Sequence, residues 1–214
     1  MSRPNTIWIY RITHIRNLPH ILQHGLVTEN SPLANPDFVR IGDSSLIDYR
    51  KNLPAPDSVG GTLRDYIPFY LGPRSPMLFQ IATGWEDIQR VSQEEITYLI
   101  SSYEMIKAKG LPFFFSDGHV RSETSTKYTA EEDFAQLDWD TIYATYWKSD
   151  EIDLRRKEKK QAEFLVKDHV PVDCIEYIGV YSTFAKTNVT RMLEEANVAI
   201  TVRVSPQKLY YDHL

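Results

Sequence analysis

Residues 7–26 read Ile7-Trp8-Ile9-Tyr10-Arg11-Ile12-Thr13-His14-Ile15-Arg16-Asn17-Leu18-Pro19-His20-Ile21-Leu22-Gln23-His24-Gly25-Leu26. Residues 7–12 are β-branched and aromatic, the composition of a strand. Thr13 and His14 end that run. Ile15, Leu18, Ile21, Leu22 and Leu26 then recur at helical spacing, and Gly25 stands where a helix stops. The stretch therefore predicts a strand, a polar corner and a short amphipathic helix. Downstream, short strands are expected at residues 66–71, 77–82, 96–101, 112–115, 162–166, 175–181 and 199–204. Helices are expected up to Lys109, over 130–137, 140–147, 151–160 and 184–196. Strands mixed irregularly with helices, without strict alternation, indicate an α+β fold.

Residues 28–61 depart from this pattern. They hold Asn30, Pro32, Asn35, Pro36, Pro54, Pro56, Gly60 and Gly61, and little periodicity survives apart from a short helix near Leu46 to Arg50. Loops of this length are uncommon in compact domains and commonly act as lids or binding loops. No internal repeat divides the 214 residues, so one domain is expected.

Composition narrows the function. Hydrophobic residues make up 42% and aromatic residues 12%, which excludes disorder over the whole chain. No apolar run reaches the ~20 residues of a membrane helix, and no secretory signal precedes Tyr10. The one cysteine, Cys174, excludes an intramolecular disulfide and a cysteine-based zinc cluster. A reducing, cytoplasmic setting is the default expectation. The six histidines show no metal-ligand spacing, and neither Gly-rich nucleotide loop is present. The net charge of −5 does not suit a bulk nucleic-acid binder. Residues 155–160, however, carry five positive charges and one negative, a solvated helix face or a local phosphate patch.

A few residues have the character that chemistry needs. Glu163 follows the basic run at the start of an apolar strand, on the same strand face as Gln161. Such a carboxylate is paired with a neighbour such as Lys159 or Lys160, or it stabilises a developing cation or takes a proton. Arg50 offers a bidentate fork to phosphate or ribose oxygens. Arg11, Thr13 and His14 gather polar groups at a strand end. Cys174 reads as a core thiol.

The chain resembles the DarT-type DNA ADP-ribosyltransferase toxins of bacterial toxin–antitoxin systems. The resemblance rests on residues 10–18 with Ile21, Leu22, Gly25 and Leu26, and on the blocks GGTLRDYIPFY (60–70), PRSPML (73–78), GLPFFFSDGH (110–119), AQLDW (135–139) and KQAEFLV (160–166). It implies the ADP-ribosyltransferase fold, with NAD in a cleft between two small sheets and flanking helices. It implies that Glu163 is the catalytic glutamate and Arg50 the catalytic arginine, with Lys51 the competing choice. Residues 28–61 would cover NAD. Arg11, Ile12, Thr13, His14, His20, Arg50 and Met77 would bind it, although some relatives have histidine where this chain has Arg11. The acceptor implied is a base of single-stranded DNA, thymidine in preference to guanine, held by residues 119–160 with His119, Lys127, Arg155, Arg156 and Lys157 as contacts. Aromatic groups at Tyr128, Trp139, Tyr143 and Trp147 lie nearby in sequence. Proton removal from the base falls to Glu163 more naturally than to Arg50, because arginine is hard to deprotonate. Family context implies a cognate macrodomain antitoxin as partner and no metal.

Overall fold

The computed structural model describes residues 3–43, 48 and 51–211, the side chain of Asp87 excepted. The order is β1 (Trp8–His14), α1 (Leu18–His24), β2 (Leu26–Val27), β3 (Tyr66–Tyr70), α2 (Pro76–Thr83), β4 (Ile96–Ser102), α3 (Tyr103–Ala108), β5 (Phe113–Ser116) and β6 (Lys127–Tyr128). Then follow α4 (Trp139–Tyr143), α5 (Arg156–Lys159), β7 (Glu163–Lys167), β8 (His169–Val170), β9 (Tyr177–Val180), α6 (Thr183–Ala196), β10 (Thr201–Val204) and α7 (Pro206–Leu209). Short 3-10 turns connect several of these.

Eight strands join in the order β10-β9-β4-β1-β3-β7-β5-β6, and β2 pairs with β8 apart from them. The large sheet is two four-stranded halves. β1 pairs with β4 from Trp8↔Ser102 to His14↔Ile96, and β3 pairs with β7 from Tyr66↔Lys167 to Tyr70↔Glu163. Between β1 and β3 the register is the single pair Tyr10↔Tyr70. The halves meet at that point and part beyond it.

One face of both halves is covered by a shared core. Ile9, Phe69, Phe164 and Val166 pack there with Leu18 and Leu22 of α1, Trp139 and Ile142 of α4, and Val189 and Leu193 of α6. The opposite face carries two separate clusters. Tyr10, Ile12, Leu78, Ile81 and Tyr98 form one on the β1 half. Ala55, Leu63, Tyr66, Phe114, Val120 and Leu165 form the other on the β3–β7 half. Alternation along β3 and β7 puts Tyr70 and Glu163 on this divided face, between the two clusters.

Three elements differ from the sequence reading. Residues 77–82 form part of α2, not a strand. Ser75 caps that helix by accepting from the Leu78 N–H, Pro76 occupies its first turn, and Gly84 closes it at φ +74°. The strand-like composition of Met77-Leu78-Phe79-Gln80-Ile81 yields to those end signals, and Leu78, Ile81 and Ala82 are the buried stripe. The helix expected over 151–160 shrinks to α5. Asp150 Oδ1 accepts from the N–H groups of Ile152 and Asp153, and Asp153 Oδ1 accepts from that of Arg155. These aspartates bind the backbone donors a helix would use. The helix expected over 140–147 is α4, which Asp138 starts by accepting from the Thr141 N–H and which ends at Tyr143. The short helix expected near Leu46 to Arg50 falls outside the described residues, Asp48 excepted.

Candidate functional site

Glu163 is 2% exposed although it is an acid at a strand start. Its Oε1 accepts from the Val120 N–H at 3.0 Å and lies 3.3 Å from His119 Nδ1. His119 Nδ1 is also 3.4 Å from the Arg121 N–H. A protonated Nδ1 donates to the carboxylate, whereas a bare one accepts from Arg121, so the state of His119 chooses its partner. The adjacent lysines do not supply an ordinary strand-end salt bridge. Lys159 Nζ sits between Asp138 and Asp153, at 3.1 and 3.0 Å, and Lys160 Nζ donates to the Ile142 carbonyl at 2.6 Å. Glu163 is thus a buried carboxylate at the parting of two half-sheets, opposite Tyr70 in register.

Across the parting, the polar corner at the end of β1 is built from backbone capping. His14 Nδ1 accepts from the Arg16 N–H and starts a 3-10 turn. Burial lowers the His14 pKa, a shift that Glu95 opposes and Arg16 reinforces. Thr13 is buried, and its hydroxyl accepts from Asn17 Nδ2 at 3.0 Å. Asn17 also holds the backbone of Val39 from both sides. Its Nδ2 donates to the Val39 carbonyl at 2.9 Å, and its Oδ1 accepts from the Val39 N–H at 2.8 Å. The long segment after β2 is therefore clamped onto the strand end by one amide. Asn17 lies in the opening stretch of sequence but is not among the residues singled out there. A buried-type position held by an amide at the end of a polar corner was the available signal.

The other residues expected to bind the cofactor are placed as follows. Ile12 is buried in the β1 cluster. Met77 lies beside this cluster, takes a hydrogen bond from the Tyr70 hydroxyl on its sulfur at 3.6 Å, and packs under Gly42. His20 on α1 has its pKa lowered by burial and then by His24, opposed by a hydrogen bond to the backbone of Leu33. It thus faces the 28–43 segment. Arg11 alternates away from Tyr10 and Ile12, and its Nη1 donates to the Pro68 carbonyl at 2.8 Å, bridging the gap where β1 and β3 no longer pair. Arg50 lies outside the described residues. Lys51 is paired with Asp48 and Glu29.

On the other side of Glu163 an open cavity of about 590 Å³ is lined by His119, Arg121, Ser122, Ser149, Leu154, Lys157, Glu158 and Gln161. His119 joins it to the carboxylate. Of the basic candidates, the structure brings His119 and Lys157 into this cavity. Arg155 is instead bound to Glu158 at 2.6 Å and to the Thr124 carbonyl. Arg156 pairs with Asp150 at 2.5 Å and lies over the Tyr146 ring. Lys127 donates to the Pro54 carbonyl, with its pKa lowered by burial. Arg121, absent from the sequence candidates, lines the cavity. The aromatic groups are packing groups: Trp139 is 2% exposed, Tyr128 stacks on Phe115, and Trp147 donates to the Tyr211 hydroxyl at 2.7 Å. Among the described residues no group of His, Cys, Asp and Glu side chains is placed to hold a metal ion.

A family model described as ssDNA thymidine ADP-ribosyltransferase, DarT, matches residues 10–211. The chain belongs to the DarT family. It is 40% identical over 210 residues to a DNA ADP-ribosyl transferase of Thermus sp. (strain 2.9), covering 97% of each chain. It is 35% identical over 199 residues to the enzyme of Escherichia coli O127:H6, covering 93% of this chain and 91% of that one. A DNA ADP-ribosyl transferase–DNA ADP-ribosyl glycohydrolase fusion protein of Thermosipho africanus is 22% identical over 194 residues, which is 90% of this chain and 47% of the fusion. Among solved structures, Thermus sp. 2.9 DarT in complex with ADP-ribosylated ssDNA superposes with a TM-score of 0.88 at 36% identity, covering 98% of this chain and 99% of that one. The same protein in complex with NAD+ gives 0.83 at 36% identity, covering 98% and 100%. As a DarT-family member the chain is a DNA ADP-ribosyltransferase, and its α+β architecture of a large and a small sheet is the fold of that family.

Proposed function

We propose that this chain transfers ADP-ribose from NAD to the base of thymidine in single-stranded DNA, with Glu163 as the catalytic carboxylate. The observation that carries the reading is the position of Glu163. It is a buried acid at the parting of the half-sheets, held by the Val120 N–H and joined through His119 to an open cavity. In the reaction, the bond between the nicotinamide nitrogen and the ribose anomeric carbon breaks, and nicotinamide leaves with the bonding pair. Positive charge grows on the ribose ring, and a fixed carboxylate in a water-poor site stabilises it. A thymine ring nitrogen then bonds to the anomeric carbon and loses its proton.

The two sides of Glu163 fit two ligands. NAD would lie on the side of the β1 corner, under the segment that Asn17 clamps, near Thr13, His14 and Met77. Arg50 is proposed from the family resemblance to orient the pyrophosphate or the base. The DNA strand would enter from the cavity side, where His119, Arg121 and Lys157 supply donors and positive charge. Few phosphate contacts and a narrow groove suit single-stranded DNA and a protein of net charge −5. His119 would place the base against the carboxylate, and Glu163 would take its proton. The fused glycohydrolase of the Thermosipho relative supports a cognate macrodomain antitoxin that removes the modification. We place the enzyme in the cytoplasm, where its DNA substrate lies; among the described residues no helix is long and apolar enough to cross a membrane.

The test is mass spectrometry of a mixed-sequence single-stranded oligonucleotide incubated with the protein and NAD. The expected product is heavier by one ADP-ribose, and fragmentation places it on thymidine. Modification of guanine overturns the base assignment, and consumption of NAD with unmodified DNA overturns the acceptor.

A further inference from the structure

Residues 143–159 leave the body of the protein at the end of α4 and return through α5. This loop contributes Ser149, Leu154, Lys157 and Glu158 to the cavity beside Glu163, and its Ile152 and Leu154 are 91% and 81% exposed. Beyond the aspartate turns at Asp150 and Asp153 and the Trp147 bond to Tyr211, its side-chain contacts include partly exposed ion pairs: Arg156 with Asp150, Lys159 with Asp153, Arg155 with Glu158. Pairs of that kind hold little and weaken with salt. The neck of the loop is different. Lys160, 0% exposed, reaches across it and donates to the Ile142 carbonyl at 2.6 Å. The same carbonyl lies against Gly72, where an added Cβ would come within 2.2 Å of it. One residue on, the Tyr143 hydroxyl lies close enough to that of Tyr10, the residue at the single junction between the half-sheets, for the two to be coupled electrostatically.

We propose that Lys160 is a positioning residue that pins the neck of this loop and so sets the acceptor-side wall relative to Glu163. The proposal rests on the reading of the cavity as the DNA side. A lysine ammonium desolvated among core groups is costly and is not needed for stability, since apolar replacements of buried charges are often neutral or better. What the side-chain nitrogen supplies here, charged or neutral, is a directional bond to one carbonyl, where the loop meets the strand that carries the carboxylate three residues later. Tyr143, beside Tyr10 of β1, lies on the other side of the same neck.

The test compares wild type with Lys160→Met and Tyr143→Phe, measuring KM for a thymidine-containing oligonucleotide, KM for NAD, and the melting temperature. Lys160→Met keeps the side-chain volume and removes the donor. The expected result is a rise of about tenfold or more in the oligonucleotide KM, a NAD KM within twofold, and no fall in melting temperature. Tyr143→Phe shifts the same parameter in the same direction by about threefold, and it decides the matter alone if Lys160→Met yields no folded protein. An oligonucleotide KM within twofold of wild type in the folded variants overturns the proposal. So does a parallel rise in both KM values with a lowered melting temperature, which is the signature of a merely structural group. Wild type that consumes NAD and leaves the oligonucleotide unmodified overturns the DNA reading itself, and the inference with it.

Discussion

Replacing Asn17 with alanine removes the clamp between the β1 corner and the segment that follows β2. The side chain is fully buried and makes three hydrogen bonds, at 2.8, 2.9 and 3.0 Å, to the Val39 N–H, the Val39 carbonyl and the Thr13 hydroxyl. A buried polar group left without its partner costs about 1–3 kcal/mol. Val39 is only half-buried, so water recovers part of the loss there, and the Thr13 hydroxyl, which loses one donor, keeps its own O–H to donate. The expected destabilisation is therefore about 1.5–3 kcal/mol, at or below the low end of a simple sum of about 3–9 kcal/mol for three groups. For a chain of this size that is a fall of about 3–12 °C in melting temperature. Because the clamp holds the segment proposed to cover NAD, the NAD KM rises several-fold while the oligonucleotide KM stays near wild type. Differential scanning calorimetry and initial rates at varied NAD measure both quantities. Asn17→Asp sharpens the test: it keeps the acceptor for the Val39 N–H but sets a carboxylate oxygen against the Val39 carbonyl, so it falls at least as far as alanine. A melting temperature within 1 °C of wild type together with an unchanged NAD KM refutes the reasoning.

Three further outcomes follow from the same structure. Burial, reinforced by the Arg74 charge, pushes Lys160 down to about 7. Its folded pKa lies below its unfolded value, so the unfolded chain binds more protons between pH 7 and about 10.5, and stability rises with pH through that window. Buried Tyr98 and Tyr210, shifted upward by burial, oppose this above pH 10, so urea midpoints should climb from pH 7 to 9 in wild type and fall slightly in Lys160→Met, where the unfolded Cys174 thiol ionises ahead of the buried one; equal slopes contradict the assignment. Two or three phosphate contacts in the cavity give a salt slope of about −1.4 to −2.1 for a single strand, so the oligonucleotide KM should rise about 7- to 20-fold from 50 to 200 mM salt, against little change in the NAD KM; equal sensitivity of the two contradicts the basic cavity. Burial, then the Asp173 charge, pushes the Cys174 thiol up to about 11, so a thiol reagent at pH 8 should label the protein only after denaturation, and rapid labelling of the native chain contradicts its packing.

Local signals carried the β1 corner. The β-branched and aromatic composition of residues 7–12 and the stop at Gly25 are short-range, and the structure follows them. Glu163 was legible for a similar reason: an acid opening an apolar strand is conspicuous in one dimension. The 77–82 segment shows how local composition misleads, because Met77 to Ala82 suits a strand, while Ser75 and Pro76 suit a helix start and prevail. The basic run at 155–160 shows a different limit. Arg155, Arg156 and Lys159 are answered by Asp117, Asp138, Asp150, Asp153 and Glu158, and Lys160 is buried. Of the run, Lys157 is the cation left to line the cavity. The parting of the half-sheets at Tyr10 and Tyr70 depends on pairing between residues far apart in sequence, and no local pattern announces it.

The central claim is that the Glu163 carboxylate, by its charge, drives cleavage of the nicotinamide–ribose bond. Glu163→Gln keeps an oxygen to accept from the Val120 N–H and removes the charge. Single-turnover transfer of ADP-ribose to a thymidine oligonucleotide, measured alongside NAD binding by calorimetry, tests it most directly. The expected result is a NAD affinity within a few-fold of wild type and a transfer rate lower by about 10²–10³ or more, the scale of removing one preorganised electrostatic group. A folded Glu163→Gln protein that binds NAD and transfers at a rate within tenfold of wild type contradicts it.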